Sequence, residues 1–112
     1  MRVLAVDDEF LILQLLASWL EDGGCEVETA LGGSEALGKL RNDQSIEVLN
    51  INVNMPGISG YQLAEQAKAL RPELKVILLS GGERDPHGWP LLHKPIHHSD
   101  LVRVMAQVGK VC

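Results

Sequence analysis

Nearly uninterrupted apolar runs alternate with stretches of helical period along the whole chain, and this alternation constrains the fold more than any other feature. Val3-Leu4-Ala5-Val6, Val48-Leu49-Asn50-Ile51 and Val76-Ile77-Leu78-Leu79 are the clearest of the runs. Continuous apolar strands of this kind are covered on both faces, which calls for a parallel sheet with helices on either side. Residues 25–29 alternate like a further strand, and Leu91-Leu92 is a brief apolar run.

The stretches between them carry the helical period. Leu13, Leu16, Ala17 and Leu20 fall on one face of a helix ended by Gly23-Gly24. Ala36, Leu37 and Leu40 form the stripe of a second helix over residues 34–42. Ser59 opens a third as a capping box with Gln62; its stripe is Leu63, Ala67 and Leu70, and it stops at Arg71-Pro72. Ser99 caps a last helix that carries Leu101, Val104, Met105 and Val108 and closes at Gly109. No repeat or linker interrupts the pattern, so one domain is expected over residues 1–112.

Composition narrows the function classes. Hydrophobic residues make up 46% and charged ones 22%, which suits a folded globular chain rather than a disordered one. Ten Lys+Arg against fifteen Asp+Glu give a net charge of −5 with no basic run. Direct nucleic-acid binding is not expected, because phosphate neutralisation needs clustered cations. No signal peptide is read before the first strand, and no apolar run approaches the ~20 residues a membrane span needs. The cytoplasm is the expected compartment. Cys25 and Cys112 make neither a disulfide framework nor a metal-ligand spacing; Cys25 reads as a small buried hydrophobe and Cys112 as a terminal thiol.

In parallel sheets of this kind the functional crevice lies beyond the carboxyl ends of the strands. Those ends carry Asp7-Asp8-Glu9, Asn52, Ser80 and His93-Lys94-Pro95. Adjacent carboxylates repel each other unless a cation sits between them, and a hard ion such as Mg²⁺ suits oxygen ligands. A hydroxyl and an ammonium on neighbouring strands suit a phosphoryl group. Each alone means little, since acidic helix N-termini are common. Together at one edge they mark a site.

The motifs themselves carry a resemblance. "VDDE" at 6–9, "NVNMPGISG" at 52–60, "LLSG" at 78–81 and "HKPI" at 93–96 resemble, in order and spacing, the receiver domains of two-component response regulators. The resemblance covers essentially all 112 residues. It implies a flavodoxin-like (CheY-like), doubly wound, five-stranded parallel α/β sheet of order 2-1-3-4-5. It also implies phosphorelay chemistry, in which an aspartate attacks the phosphohistidine of a histidine kinase or histidine phosphotransfer protein. On this resemblance Asp7 and Asp8 would hold Mg²⁺ with residue 52 and the backbone carbonyl of Asn54. Ser80 and Lys94 would be the switch hydroxyl and lysine. Asn52 stands where the phosphorylated aspartate belongs.

That substitution changes the expected chemistry. A carboxamide oxygen is a poor nucleophile at phosphorus and forms no stable acyl phosphate. Glu47 lies at the opposite end of its strand, and no other acid lies between it and Pro56. Mg²⁺ binding is expected to be weakened or absent, since one formal charge is lost; at ~4 Å that charge is worth at most about 4 kcal/mol at an effective dielectric of about 20. Two further departures follow. "GGERDPHGWP" at 81–90 leaves too little room for the family's fourth helix, as an average helix alone takes about 11–12 residues, so that helix is expected to be missing or reduced to a turn. Leu91 occupies the family's aromatic switch position, with Trp89 two residues before it.

Three functional readings stand side by side. In the first, the chain is a receiver that cannot take phosphate and works by binding a histidine kinase, a phosphotransfer protein or another receiver. In the second, it is an ordinary phosphoaccepting receiver whose aspartate was changed to Asn52. The third is a Mg²⁺-dependent phosphoryl-transfer enzyme, for which Asn52 supplies neither nucleophile nor base. Leu11, Leu15 and Trp19 form a second apolar stripe on the first helix; such residues usually pack under loops, but exposed they would serve a homodimer or a partner helix. His93, His97 and His98 lack a completing ligand set and read as solvated loop residues. No DNA-binding motif or catalytic domain is read after Val108, so output is expected through protein contacts.

Overall fold

The computed structural model describes residues 1–55, 57–81 and 90–107. Among the described residues, parallel strands and helices follow in the order β1 (Arg2–Val6), α1 (Phe10–Asp22), β2 (Glu26–Ala30), α2 (Gly33–Asn42), β3 (Ile46–Asn52), α3 (Gly60–Leu70), β4 (Lys75–Ser80), β5 (Leu91–His93) and α4 (His98–Gln107). The sheet order is β2-β1-β3-β4-β5, as the resemblance implies, with every pairing parallel. The expectation of a missing or reduced helix between β4 and β5 falls on residues 82–89, outside the described residues, as do Trp89, Val108, Gly109 and Cys112.

Strand periodicity divides the apolar residues between two layers. Leu49, Ile51 and Val53 face the side covered by α2 and α3, where they pack with Leu37, Leu40, Leu63 and Ala67. Val48 faces the other side, with Val3, Ile77 and Leu79, beneath Leu16 and Leu20 of α1 and Leu101, Val104 and Met105 of α4. The central strands β1, β3 and β4 are buried almost end to end, which is why they read as continuous apolar runs.

Three details correct the sequence reading. Leu70 is exposed, so the inward stripe of α3 is Leu63, Ala64 and Ala67. Cys25 is buried as expected but is disulfide-bonded, not an isolated small hydrophobe. His98 is exposed, as a solvated residue would be, but it is not in a loop: it opens α4 and meets Trp19 edge to face at 5.5 Å.

Arg71 does more than end α3. It is 7% exposed, and its guanidinium donates to the backbone carbonyls of Asp43, Gln44 and Ile46 while pairing with Glu73 at 2.9 Å. These bonds fasten the end of α3 to the loop that enters β3, at the edge of the sheet opposite Asn52. Arg71→Ala is expected to cost about 2 kcal/mol of stability, since three carbonyls lose a charged donor. Urea denaturation checks this through a lowered midpoint at unchanged slope.

Candidate functional site

The carboxyl ends of β1, β3 and β4 and the turn after β5 come together at one edge of the sheet. Asp7 follows β1 directly, and its backbone N–H donates to the carbonyl of Ala30 at 3.2 Å, which carries the β1–β2 pairing one residue beyond the strand. Its side chain is fully buried. Its Oδ1 accepts from the backbone N–H of Glu9 at 2.8 Å, which turns the chain into α1. Burial holds the Asp7 carboxyl above the usual carboxylate range, against the opposing pull of the Glu9 N–H and the Lys94 ammonium. Asp8 and Glu9 are exposed beside it.

Asn52 is the last residue of β3 and is buried. Two local features fix its place. The N–H of Val53 donates to the carbonyl of Leu79 at 2.8 Å, so pairing with β4 continues past the strand end. Gly60 then brings the first turn of α3 against the end of β3; a Cβ there would meet the Asn52 carbonyl oxygen and come within 2.6 Å of the Val53 Cα. Ser59 and Gln62 form the expected capping box, with bonds of 3.2 and 3.0 Å in the two directions.

The Asn52 carboxamide points its nitrogen into the acidic pair. Nδ2 donates to Asp7 Oδ1 at 3.2 Å, to Asp8 Oδ1 at 3.1 Å and to the Asn54 backbone carbonyl at 3.0 Å. Lys94 reaches in from the turn after β5, whose Lys94–Pro95 bond is cis. Its Nζ lies 3.0 Å from Glu9 Oε1 and 3.6 Å from Asp7 Oδ2, and its backbone N–H donates to the Ser80 carbonyl at 2.9 Å. Ser80 ends β4 one residue beyond Leu79, the register partner of Asn52, and is buried.

Of the residues singled out from the sequence, Asn52 therefore meets Asp7, Asp8 and Asn54, Lys94 joins them through Asp7, and Ser80 is tied to Lys94 through the backbone. The part of Glu9 went unassigned in the sequence; its signal was a third acid in the same turn. Carboxylate oxygens of Asp7, Asp8 and Glu9 lie within 4.8 Å of one another, a spacing a hard cation could use. The full donor set does not fit that cation as it stands. Three oxygens that would face the ion face the hydrogens of an amide instead, and an N–H repels a metal where an oxygen would bind it.

The family follows from sequence and structure alike. Residues 3–106 match the response regulator receiver domain. A protein-glutamate methylesterase/protein-glutamine glutaminase of Caulobacter vibrioides is 36% identical over 81 residues, covering 71% of this chain and 23% of that protein. Hybrid signal transduction histidine kinase L of Dictyostelium discoideum is 32% identical, with 97% of this chain and 7% of the kinase covered. The chain thus spans less than a quarter of the length of either relative. The chemotaxis protein CheY4 of Vibrio cholerae superposes with a TM-score of 0.87 at 30% identity, over 96% of this chain and 97% of that one. With its motifs gathered at one sheet edge and its length matched almost throughout, the chain belongs to the receiver domains of response regulators.

Proposed function

We propose that this chain is a receiver module of two-component signalling that takes part in the relay by protein binding and does not itself accept the phosphoryl group. One observation carries the reading: the residue presented at the end of β3, amid Asp7, Asp8 and Lys94, is a carboxamide whose nitrogen is turned into the acidic pair. Phosphoryl acceptance at this position needs a nucleophile with an available lone pair, which an aspartate carboxylate supplies. The amide nitrogen's pair is delocalised into the carbonyl, the neutral amide oxygen is a weak nucleophile that forms no stable acyl phosphate, and no other acid of β3 reaches this edge: Glu47 lies near the strand's far end. The same lack of nucleophile or base argues against turnover of phosphate esters at this site.

The partners that fit are a histidine kinase, a histidine phosphotransfer protein or another receiver. Phe10, Leu11 and Leu15 offer a contact surface next to the site, with Leu11 80% exposed at the start of α1; pairing of two copies would use the same face. Among the described residues no helix is long and apolar enough to cross a membrane. A cytoplasmic setting is part of the proposal.

Incubation with acetyl phosphate and Mg²⁺, followed by mass spectrometry of the intact chain, tests the reading. No phosphoryl adduct is expected. An adduct mapped to residue 52 would sink it.

A further inference from the structure

We infer that the Asn52 side chain is a built-in replacement for the divalent cation, and that its amide nitrogen keeps Mg²⁺ out of the acidic pocket at millimolar concentration. The inference rests on the reading of residue 52 as the acceptor position but concerns the metal, not the phosphate. Loss of one formal charge would by itself weaken Mg²⁺ binding. Occupancy of the pocket is a separate effect, and the geometry points to it.

The oxygens of Asp7, Asp8 and Asn54 converge on Nδ2 at 3.2, 3.1 and 3.0 Å. Three acceptors aimed at one point is the arrangement a small cation selects. Here the point is filled by a nitrogen with two hydrogens and no available lone pair. Those hydrogens carry positive charge toward both carboxylates, so the repulsion that otherwise calls for an ion is already offset. On the other side of Asp7, the Lys94 ammonium stands 3.6 Å from Oδ2 and 3.0 Å from Glu9 Oε1. The acidic turn therefore meets an amide on one flank and an ammonium on the other.

Mg²⁺ has little leverage against this arrangement. It requires oxygen ligands at ~2.0–2.1 Å in near-octahedral order and gives up its waters reluctantly. To enter, it must turn the Asn52 carboxamide over so that Oδ1 faces inward, which breaks all three hydrogen bonds from Nδ2 at once. Asn52 is buried, and its backbone is held close against the first turn of α3 at Gly60. The pocket is thereby held in one state whether or not Mg²⁺ is in solution.

Occupancy and charge make opposite predictions for Asn52→Ala. This variant adds no charge and removes the amide. If charge alone governs, its Mg²⁺ affinity stays at or below that of the unsubstituted chain, because one side-chain ligand has also gone. If the amide fills the pocket, affinity rises, by about tenfold or more. Calorimetric titration of the 112-residue chain and of Asn52→Ala with MgCl₂ reads the difference, with NaCl of equal ionic strength as control. The expected results are no saturable binding by the unsubstituted chain at millimolar Mg²⁺, and measurable binding by the variant together with a Mg²⁺-dependent rise in its melting temperature. Equal or weaker binding by Asn52→Ala overturns the inference. Should that variant fail to fold, the side-chain NH₂ signals of Asn52 in ¹⁵N-labelled unsubstituted chain decide. They stay unmoved through a Mg²⁺ titration if the amide holds the pocket, and saturable shifts would overturn the idea. Binding of Mg²⁺ by the unsubstituted chain would leave its inertness to acetyl phosphate untouched, so the two proposals fail separately.

Discussion

Asn50→Leu is expected to raise the unfolding free energy by about 2–4 kcal/mol, a large gain for one substitution. Asn50 sits in the middle of β3, in register with Ala5 on one side and Ile77 on the other. Its side chain is 1% exposed, and neither its amide nitrogen nor its carbonyl oxygen has a partner among the described residues. Each such group loses its hydration on folding and recovers nothing. Leucine has nearly the same shape, keeps the backbone ladder intact and adds apolar contact to a layer already made of Val3, Val48, Ile77 and Leu79. Guanidinium denaturation should show a higher midpoint at unchanged slope, and the melting temperature should rise by about 4–8 °C for each kcal/mol gained. A loss of stability would mean that Asn50 has a polar partner in solution, and the account of it as an orphan would be wrong. Asn50→Asp should act in the opposite sense, because it buries a charge in the same apolar surroundings.

Asn50 also shows where a sequence stops speaking. Its neighbours Leu49 and Ile51 made the run read as a buried strand, and it is one. Nothing in the run distinguishes a hydrogen-bonded buried amide from an orphaned one, since that depends on side chains from β1 and β4. Architecture was legible because it rests on local signals: the apolar runs, the Ser59–Gln62 capping box, the glycines after α1 and the proline after α3. Each acts within a few residues of its own position. Boundaries blurred where a local signal was mixed. β3 begins at Ile46, two residues ahead of the continuous run, because Glu47 turns its charge to solvent from within the strand. Arg71 read as a helix stop for the same reason: its three carbonyl partners lie 25 to 28 residues away. At the site, the residue types and their strand ends could be named in advance from the motifs. The direction of the Asn52 carboxamide could not. It is set by the Glu9 N–H that orients Asp7, by the exposed carboxylate of Asp8 and by the backbone carbonyl of Asn54, three conditions that no pattern of letters states.

Asn52→Asp is expected to convert a chain inert to acetyl phosphate into one that forms an acyl phosphate on residue 52, a change from no product to stoichiometric labelling at long incubation. The change from amide to carboxylate is nearly isosteric, so β3, Gly60 and the α3 entry keep their places. A carboxylate oxygen replaces the nitrogen that now faces Asp7 and Asp8. Three acids then share one pocket, and their mutual repulsion must be offset from outside. Lys94 cannot do this alone, because it is already engaged by Glu9 at 3.0 Å and lies 3.6 Å from Asp7. Without a divalent cation the variant should therefore be less stable than the unsubstituted chain, by about 1–3 kcal/mol for three donor bonds lost and one buried charge gained. Addition of Mg²⁺ should restore that loss and permit labelling, while the unsubstituted chain responds to neither reagent. Mass spectrometry with acetyl phosphate, run with Mg²⁺ and with a chelator, reads both halves. If folded Asn52→Asp binds Mg²⁺ yet remains unlabelled, the carboxamide is not the cause of inertness, and the departure lies instead in how Ser80, Lys94 and the segment between β4 and β5 meet the phosphoryl donor.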